Sequence, residues 1–560
     1  MNNVRRLTDT RTIWYGVGII LASLLAHGGC IKSIFFLDDA PGITQNPLVV
    51  SGEFWKAGLS SWTILGYVIQ ERIFGLNSWG FHLVNWLLHT SCALILWILA
   101  KNLLGEAWPR LTAWCAAVLF AIHPLASEIP NYARTQDLAW VTLFSLAGCL
   151  AAFAWLRDGK KWQVAVCLMC IFGATFSKGP GLFHAGMMIG AVVIAYAKVG
   201  HWRALKRAAA PLSLCVVVIL LGMFFTGGID PIKYGMGQWS EPRFIGHAYT
   251  IARVFWEFAW RCVLPIKLSA DHHIAETLVS PNGSFLSTED GVAQIAMLGM
   301  IGVCAWCLWL AWKPKTRIIG IAFLLAAGSI AFRVLYLIPE FMPEYRIYPG
   351  MPWFCLGAAC VICRIQWLPQ KTTWAILGII CITLSAKRSW QWHDLDRLLD
   401  DVLEQYPTQA RAIWELHDRD LAAHNYQKII QRQEQQWPKV ATAFHAENKR
   451  LAPARELPTG HFALAEVASS GRYARALAAS GNVAGGLQEI ERMTRWMQQL
   501  GMHPVAHSIH WHIHRIDHAL VLEAAGNDQA ALVLLEQATD DWDVIKHRER
   551  LRKKLGEKNR

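Results

Sequence analysis

Long apolar runs occupy the chain up to Trp390 and then give way to a mixed polar sequence that continues to residue 560. A bilayer core requires about 20 apolar residues per helix. The pattern therefore predicts an all-α fold, with a polytopic membrane domain of about eleven transmembrane helices over 1–390 and a soluble helical domain over 391–560. The predicted spans are 12–30, 79–100, 111–123, 138–156, 163–176, 181–197, 209–227, 292–312, 316–334, 350–366 and 372–386.

Basic residues in the short connections predict the orientation. If the amino terminus, with Arg5, Arg6 and Arg11, is cytoplasmic, every cytoplasmic connection carries Lys or Arg, as the positive-inside rule requires. An odd number of spans then places 391–560 outside. The outer connections are rich in acidic, aromatic, His, Pro and Gly residues, which suggests a site on that face, and they comprise 31–78, 124–137, 177–180, 228–291 and 335–349. Two stretches among them, 54–75 and 251–268, are typical of amphipathic helices lying in the membrane interface.

The soluble part is rich in Ala, Leu, Glu, Gln and Arg, which favours helices throughout. Two similar pieces, around Gly481–Asn482 and Gly526–Asn527, each predict a helix, a Gly-Asn turn and a second helix. Such pairs are typical of tetratricopeptide-type (TPR-like) repeats, although their spacing of 45 residues exceeds the usual length of about 34.

Composition narrows the classes of function. The net charge of +12 does not indicate a nucleic-acid partner, because many of the basic residues lie between apolar runs and form no stripe interleaved with aromatics. All 14 Cys precede Trp390. Three Cys pairs have CxxC spacing but lie inside apolar runs with no His or carboxylate beside them, so we interpret them as packing residues rather than metal ligands.

Two adjacent carboxylates, Asp38 and Asp39, directly follow the first span. A carboxylate at a membrane surface can serve as a general base when burial and a like charge raise its pKa. The pair could also hold a divalent cation. The alternative is a pair of solvated loop acids.

A second outer segment packs His123, Glu128, Arg134 and Asp137 into 15 residues between two spans. Lys178 and Arg346 fall at the same predicted membrane boundary. Three cations on one face would suit a lipid phosphate, which Arg binds in a bidentate manner. Each cation alone could instead be a side chain that extends to the interface.

These residues resemble the multi-span protein O-mannosyltransferases that carry tetratricopeptide repeats. The resemblance covers nearly the whole chain and depends on the order of several short motifs. The motifs are Asp38-Asp39 with Ile43-Thr-Gln-Asn46-Pro, Phe81-His82-Leu-Val-Asn85-Trp-Leu-Leu-His89, His123-Pro124 with Glu128, Arg134 and Asp137-Leu138, Ser177-Lys178, Leu268-Ser269-Ala-Asp271-His272, and Arg346-Ile-Tyr348-Pro349. Two positions depart from the family pattern: Gly179 replaces a Glu, and Tyr345 separates Glu344 from Arg346.

The resemblance implies a GT-C-type glycosyltransferase that uses a polyprenyl-phosphate sugar and an exported acceptor. We expect single-step inverting transfer, with Asp38 or Asp39 as general base, Asp38 being favoured by the resemblance, and with Glu128 orienting the acceptor. Arg134, Lys178, Arg346 and Tyr348 would bind the donor's lipid phosphate. Contacts to the sugar or the acceptor are expected from His123, Asp137, Asp271, His272 and Glu344. The scheme requires no metal or other cofactor, and mannose is not implied firmly because of the two departures.

Other classes remain open. A lipid- or glycan-modifying transferase would share the donor chemistry but would have less use for a repeat domain, and a transporter would place its charges at mid-membrane on paired broken helices. We favour a bacterial inner membrane, with the carboxy-terminal domain periplasmic and a surface protein such as a pilin as acceptor. An endoplasmic reticulum membrane is equally consistent with the topology.

A row of histidines in the soluble part recurs at helical spacing. It comprises His503, His507, His510, His514 and His518, and the later four share one face. This face could be a packed surface between repeats, a groove that holds the acceptor, or a zinc site.

Overall fold

The computed structural model describes residues 10–196, 242–272, 291–331, 333, 342–365, 367–407, 409–451, 460–502, 508–538 and 542–556. These residues form helices and connections without any strand, which confirms the predicted all-α class. Contacts divide the chain into two compact units. The first contains residues up to Ala270 and from Ile274 to Leu398, and the second contains Asp271–His273 and the chain from Leu399 onward.

The described α-helices of the first unit are separated by connections that contain Gly, Pro and polar residues. They are α1 (Thr10–His27), α2 (Pro47–Ser51), α3 (Ser61–Phe74), α4 (Ser78–Leu104), α5 (Arg110–Ile122), α6 (Glu128–Asn131), α7 (Gln136–Asp158), α8 (Lys161–Ser177), α9 (Gly181–Tyr196), α10 (Pro242–Val263), α11 (Gly291–Trp312), α12 (Arg317–Ala331), α13 (Met351–Ile362) and α14 (Gln370–Gln391). The predicted span 209–227 lies outside the described residues.

Helix occupies each of the other ten predicted spans, but fewer are long and apolar enough to cross a membrane. Among the described residues, Thr12–Lys32, Ser78–Leu104, Ala133–Asp158 and Gly291–Trp312 meet that requirement. A fifth candidate is the pair Leu111–Ile122 and Pro124–Asn131, which is bent by 54° at the break between them. Three further apolar helices, Lys161–Ser177, Gly181–Val193 and Arg317–Ala331, are shorter. The described residues thus support four or five spans, and eleven remains a prediction.

The core of this unit lies where α4 and α7 pack together and where α5 packs against α13. Leu96, Phe120, Leu146 and Trp353 are fully buried there. Helices at the periphery expose apolar side chains instead, as Leu25 on α1 and Ile295 on α11 illustrate with exposed fractions of 65% and 73%. Such outward apolar faces are the surfaces that a hydrocarbon environment covers.

The two predicted interfacial segments are both helical. Residues 54–75 form a 3₁₀-helix over Phe54–Ser60 and then α3, which buries Ile64 and Tyr67 and exposes Ile73. Within 251–268, α10 buries Phe255 and Phe258 on one side. Both segments are therefore helical, and their placement in the membrane interface stays a prediction.

The second unit is a stack of helix pairs. Its helices are α15 (Leu395–Gln405), whose first turn belongs to the first unit, α16 (Ala410–Ala422), α17 (Tyr426–Gln435), α18 (Trp437–Leu451), α19 (Gly460–Ala479), α20 (Val483–Gln499), α21 (Ser508–Ala524), α22 (Asp528–Glu536) and α23 (Trp542–Lys554).

The two predicted Gly-Asn turns share one local geometry. Gly481 and Gly526 have φ values of 93° and 79°, which glycine adopts without strain. Asn482 and Asn527 then cap the following helices by accepting the backbone N–H of Gly485 and Ala530 at 2.9 and 3.3 Å. Both predicted helix–turn–helix pairs are present, whereas the assignment to TPR-like repeats stays a prediction.

Three histidines of the row, His510, His514 and His518, lie on α21. His503 and His507 fall outside the described residues. His510 and His514 are buried, and His514 Nε2 forms a 2.8 Å hydrogen bond with Thr494 Oγ1 on α20. Burial lowers the pKa of His514 to about 4. These contacts favour the interpretation that this face is packed between helices.

Candidate active site

Four of the predicted segments meet in the first unit. They are the loop after α1, the broken connection between α5 and α7, the turn between α8 and α9, and the 3₁₀-helix Glu344–Gly350. Three short contacts join them: Asp39 Oδ1 to Arg134 N at 2.6 Å, Glu128 Oε2 to Tyr345 N at 2.6 Å, and Asp137 Oδ2 to Lys178 Nζ at 2.7 Å. These four segments therefore form one cluster.

The two adjacent carboxylates lie in different environments. Asp39 is fully buried, and its two oxygens accept the backbone N–H groups of Phe36 at 2.8 Å and Arg134 at 2.6 Å. Asp38 is half-buried, and its backbone N–H donates to the Tyr132 hydroxyl at 3.1 Å. Asp39 thus connects the first loop to the second through its carboxylate, while Asp38 is the less buried residue of the pair.

Burial raises the pKa of Asp39 to about 8, and the two backbone N–H donors oppose that shift. Just before the pair, Leu37 has a φ of 42°, in the left-handed region that a branched residue rarely adopts. Such strain persists only where surrounding bonds hold the backbone. The bond from Phe36 N to Asp39 spans this residue and supplies that restraint.

An aromatic cluster adjoins the acidic pair. The Tyr132 ring stacks on Trp392 with centroids 5.6 Å apart and meets Phe36 edge-on at 5.8 Å. The centroid of the Tyr132 ring also lies 6.1 Å from that of Tyr345. Trp392 belongs to the first unit, so the structure extends this unit beyond the boundary at Trp390 that composition had suggested.

Glu128 is the first residue of α6 and is 1% exposed. Its Oε2 accepts the backbone N–H of Tyr345, which anchors the 3₁₀-helix to the broken connection between α5 and α7. The observed contact is a structural one, and the role of orienting an acceptor stays a prediction.

The Arg134 side chain is half-buried against the first loop. A methyl group on Gly42 would come within 2.5 Å of Arg134 Cδ and 2.7 Å of its Nε, so the absence of a side chain at Gly42 makes room for the arginine. The Tyr67 hydroxyl donates to the backbone oxygens of Ala133 and Arg134 at 3.2 Å each and fixes the backbone that carries this side chain.

Lys178 and Arg346 meet at one aromatic ring. Lys178 Nζ lies 5.8 Å, and Arg346 Cζ 5.9 Å, from the centroid of Tyr345. Burial lowers the pKa of Lys178, the Asp137 carboxylate opposes that shift, and the charges of Arg134 and Arg346 reinforce it. The three predicted cations therefore lie close enough to influence one another, although Lys178 is already paired with Asp137.

Asp137 and two other predicted contact residues hold the protein together. Asp137 opens α7 and pairs with Lys178, with a side chain only 7% exposed. Glu344 is fully buried, where its Oε1 accepts Ser269 N at 2.8 Å and its Oε2 lies 4.0 Å from Arg388 Nη2. His123 is 2% exposed, where Nδ1 accepts Leu125 N at 3.2 Å and Nε2 lies 3.0 Å from the oxygen of Cys262.

The next three predicted residues are Tyr348, Asp271 and His272. Tyr348 is 1% exposed and its hydroxyl bonds His89 Nδ1 at 2.8 Å, so this phenol is committed to the core rather than to a phosphate. Asp271 and His272 belong to the second unit, where His272 Nδ1 bonds the Tyr406 hydroxyl at 2.7 Å. The sequence pattern gave no indication of either arrangement.

Polar residues inside apolar helices form hydrogen bonds that hold the backbone of the site. Asn85 on α4 donates to the backbone oxygens of Ile129 and Tyr132 at 2.9 and 3.0 Å and accepts from Gln136 Nε2 at 2.8 Å. Gln70 Nε2 in turn donates to Gln136 Oε1 at 2.9 Å. The sequence signal for such a residue is an amide side chain within an apolar helix, because a buried amide must form hydrogen bonds with other groups.

No group of three or more His, Cys, Asp or Glu suited to a metal ion occurs within the described part of the chain. At the acidic pair, each Asp39 oxygen already accepts one backbone N–H group. A divalent cation at Asp38 and Asp39 stays a prediction.

The chain is similar to several proteins that are named protein O-mannosyl-transferases. It is 23% identical over 428 residues to a protein O-mannosyl-transferase of Caenorhabditis elegans, a match that covers 71% of this chain and 59% of that relative. It is 29% identical over 146 residues to protein O-mannosyl-transferase TMTC1 of Mus musculus, which covers 22% of this chain and 15% of the relative. It is 30% identical over 145 residues to protein O-mannosyl-transferase Tmtc2 of Drosophila melanogaster, which covers 24% of this chain and 15% of the relative.

The chain thus spans less than two thirds of the length of these relatives. No family model matches it. No solved structure matches it either.

Proposed function

We propose that the protein is a membrane glycosyltransferase that moves a sugar from a polyprenyl-phosphate donor to a hydroxyl of an exported protein. The observation that supports this most is the juxtaposition of the Asp38–Asp39 pair with Arg134, Lys178 and Arg346 in one cluster. The names of the similar proteins support a protein acceptor and make mannose the first sugar to test.

In this reaction the Asp38 carboxylate acts as general base. It takes the proton of the acceptor hydroxyl while the hydroxyl oxygen attacks the anomeric carbon. The bond from that carbon to the phosphate oxygen breaks in the same step, and the electron pair leaves with the phosphate. The configuration at carbon inverts because the attack comes from the face opposite the leaving group.

Asp38 rather than Asp39 fits this role because Asp38 is only half-buried, whereas Asp39 is fully buried. Asp39 uses both carboxylate oxygens to hold the loop and Arg134 in register. The two carboxylates thus divide the work, one accepting the proton and the other fixing the backbone around it.

The cations stabilise the departing phosphate. Negative charge grows on its oxygens as the sugar leaves, so fixed cations lower the energy of the transition state more than that of the bound donor. Arg346 and Arg134 carry most of this effect, because a guanidinium can bind a phosphate in a bidentate manner, whereas the Lys178 ammonium is paired with Asp137. Tyr348 takes no part, since its hydroxyl is bonded in the core.

We further propose a GT-C arrangement in a bacterial inner membrane, with the site and the second unit on the outer face and a surface protein such as a pilin as acceptor. The helices long and apolar enough to cross a membrane support the location. The helix pairs of the second unit offer a surface for an extended protein segment, as stacked helical repeats do.

Intact mass spectrometry of exported proteins, with and without this gene, tests the proposal. We expect at least one secreted or surface protein to lose the mass of a hexose or pentose in the deletion strain, and plasmid-borne wild type to restore it. Unchanged masses for the whole exported set, together with an altered lipid or polysaccharide, would favour a glycan-modifying transferase instead.

A further inference from the structure

The pair Tyr132 and Tyr345 has no role in the reaction described so far. The backbone N–H of Asp38 donates to the Tyr132 hydroxyl at 3.1 Å, the Tyr132 and Tyr345 ring centroids lie 6.1 Å apart, and Lys178 Nζ and Arg346 Cζ lie 5.8 and 5.9 Å from the Tyr345 centroid. The Tyr345 ring therefore lies next to two of the proposed phosphate-binding cations and is linked through Tyr132 to the loop that carries the proposed base.

In a glycosyl phosphate, the sugar ring lies next to the phosphate. Its anomeric carbon must approach the acceptor oxygen near Asp38, while the phosphate attached to that carbon must reach the cations. Tyr345 is half-buried, whereas Tyr132 is 4% exposed, so Tyr345 is the member of the pair that can touch a ligand. A flat aromatic face presents a surface on which the C–H groups of a sugar pack.

We propose that Tyr345 is the residue on which the donor's transferred sugar stacks, and that Tyr132 supports Tyr345 from behind. This inference rests on the proposed glycosyl-transfer function and adds to it a specific contact for the sugar itself. Two anchors hold Tyr345 in place: its backbone N–H donates to Glu128 Oε2 at 2.6 Å, and its neighbour Glu344 is tied to Ser269. The ring is thus positioned before any ligand arrives.

Tyr345 and its neighbour Glu344 face in different directions. In a 3₁₀-helix, successive residues differ by a third of a turn. The Glu344 carboxylate accordingly lies in the core, while the Tyr345 ring contacts the cations.

Two ligands that differ only in the sugar provide the test. We would purify the full-length protein in lipid nanodiscs and measure the KM for polyprenyl-phosphate mannose and the inhibition constant for polyprenyl phosphate. The variants are Tyr345→Phe, which keeps the ring, and Tyr345→Leu, which removes it. Tyr473→Leu, at a half-buried tyrosine of the second unit, serves as the matched control.

We expect Tyr345→Leu to weaken use of the sugar-bearing donor about twofold to tenfold more than binding of the sugar-free lipid phosphate. Tyr345→Phe and Tyr473→Leu should leave that ratio near one. If Tyr345→Leu weakens both ligands equally, the ring only positions the cations and the stacking role is refuted.

Failure of the underlying function gives a different result. Wild-type protein that transfers no sugar from any polyprenyl-phosphate donor to protein would contradict the glycosyltransferase proposal, and the stacking role with it. An active wild type with an unchanged ligand ratio in Tyr345→Leu would contradict the stacking role alone.

Discussion

Single substitutions of the two adjacent carboxylates should affect different properties: one should lower the rate of sugar transfer, and the other should lower the stability of the fold. Asp38→Asn removes a proton acceptor at a half-buried position, and loss of a general base typically costs about 10²–10⁴-fold in rate. Asp39→Asn acts on a fully buried group that accepts two backbone N–H donors. The first variant should therefore fold normally and turn over slowly, and the second should be unstable.

The size of the Asp39 effect follows from its contacts. An asparagine retains one acceptor oxygen, so its NH₂ group must face either Phe36 N or Arg134 N, and one buried donor loses its partner. Each orphaned buried donor costs about 1–3 kcal/mol. Asp39→Ala orphans both donors and should cost about 2–6 kcal/mol, and it also releases the restraint on the left-handed backbone of Leu37.

The pH dependence of stability gives an independent test of the same group. Burial raises the folded-state pKa of Asp39 to about 8, well above its ordinary value of 3.8. The folded protein therefore binds a proton more tightly than the unfolded chain, and this contribution to stability is complete below about pH 4 and is lost as pH rises through 8. Asparagine does not titrate, so the stability difference between wild type and Asp39→Asn should narrow between about pH 4 and pH 8 and change little above pH 8.

Thermal unfolding of the purified protein in detergent, followed beside the initial rate of sugar transfer, measures both effects. Asp158→Asn is the matched control, because that aspartate pairs with Arg157 at the surface and lies away from the site. The reasoning is refuted if Asp38→Asn unfolds at a clearly lower temperature than wild type. It is equally refuted if Asp39→Asn keeps wild-type stability while losing activity, because Asp39 would then be the base.

Further predictions concern the cations, the second unit and the topology. Arg346→Ala should lower kcat/KM for the lipid-phosphate donor by about 10- to 150-fold, the equivalent of a lost charge-assisted bond of about 1.5–3 kcal/mol. Lys178→Ala should lower kcat/KM less, because the Lys178 ammonium is paired with Asp137. Equal losses in the two variants would contradict this difference. Truncation after Leu398, which retains Trp392, should impair modification of a folded acceptor protein more than transfer to a short peptide; normal modification by an inserted truncated protein would exclude recruitment by the second unit. A reporter that is active only in the periplasm should be active when fused after Leu398, and an inactive fusion, together with an active cytoplasm-specific reporter at the same position, would overturn the proposed outer face.

The sequence pointed to the segments of the candidate site, whereas its count of eleven spans exceeds the four or five that the described residues support. Asp38, Glu128, Arg134, Lys178 and Arg346 stand out because they fall at one predicted face of the membrane, and the structure brings these segments together. Apolar runs are a weaker guide to spans, because a run can belong to a helix that is too short to cross alone. The 13-residue α5 is such a helix, and it reaches spanning length only together with the bent segment that follows it.

The roles of individual side chains depended on contacts between distant segments. No local pattern distinguishes Asp38 from Asp39, because the burial of Asp39 comes from Arg134, which lies 95 residues further along the chain. The same holds for Tyr348, whose partner His89 lies on α4, 259 residues away. Local periodicity can place such residues near a site, but only the packed structure decides which atoms are committed to holding it together.

Transfer by the purified protein tests the central claim most directly. Full-length wild type and Asp38→Asn would be reconstituted in nanodiscs with polyprenyl-phosphate mannose carrying a radiolabel and with an exported acceptor protein, and label attached covalently to the protein would be counted. We predict label on a serine or threonine of the acceptor with wild type, a rate about 10²–10⁴-fold lower with Asp38→Asn, and release of polyprenyl phosphate in equal amount. Transfer that proceeds at the wild-type rate in Asp38→Asn, or label that appears only in lipid or polysaccharide, would contradict this account.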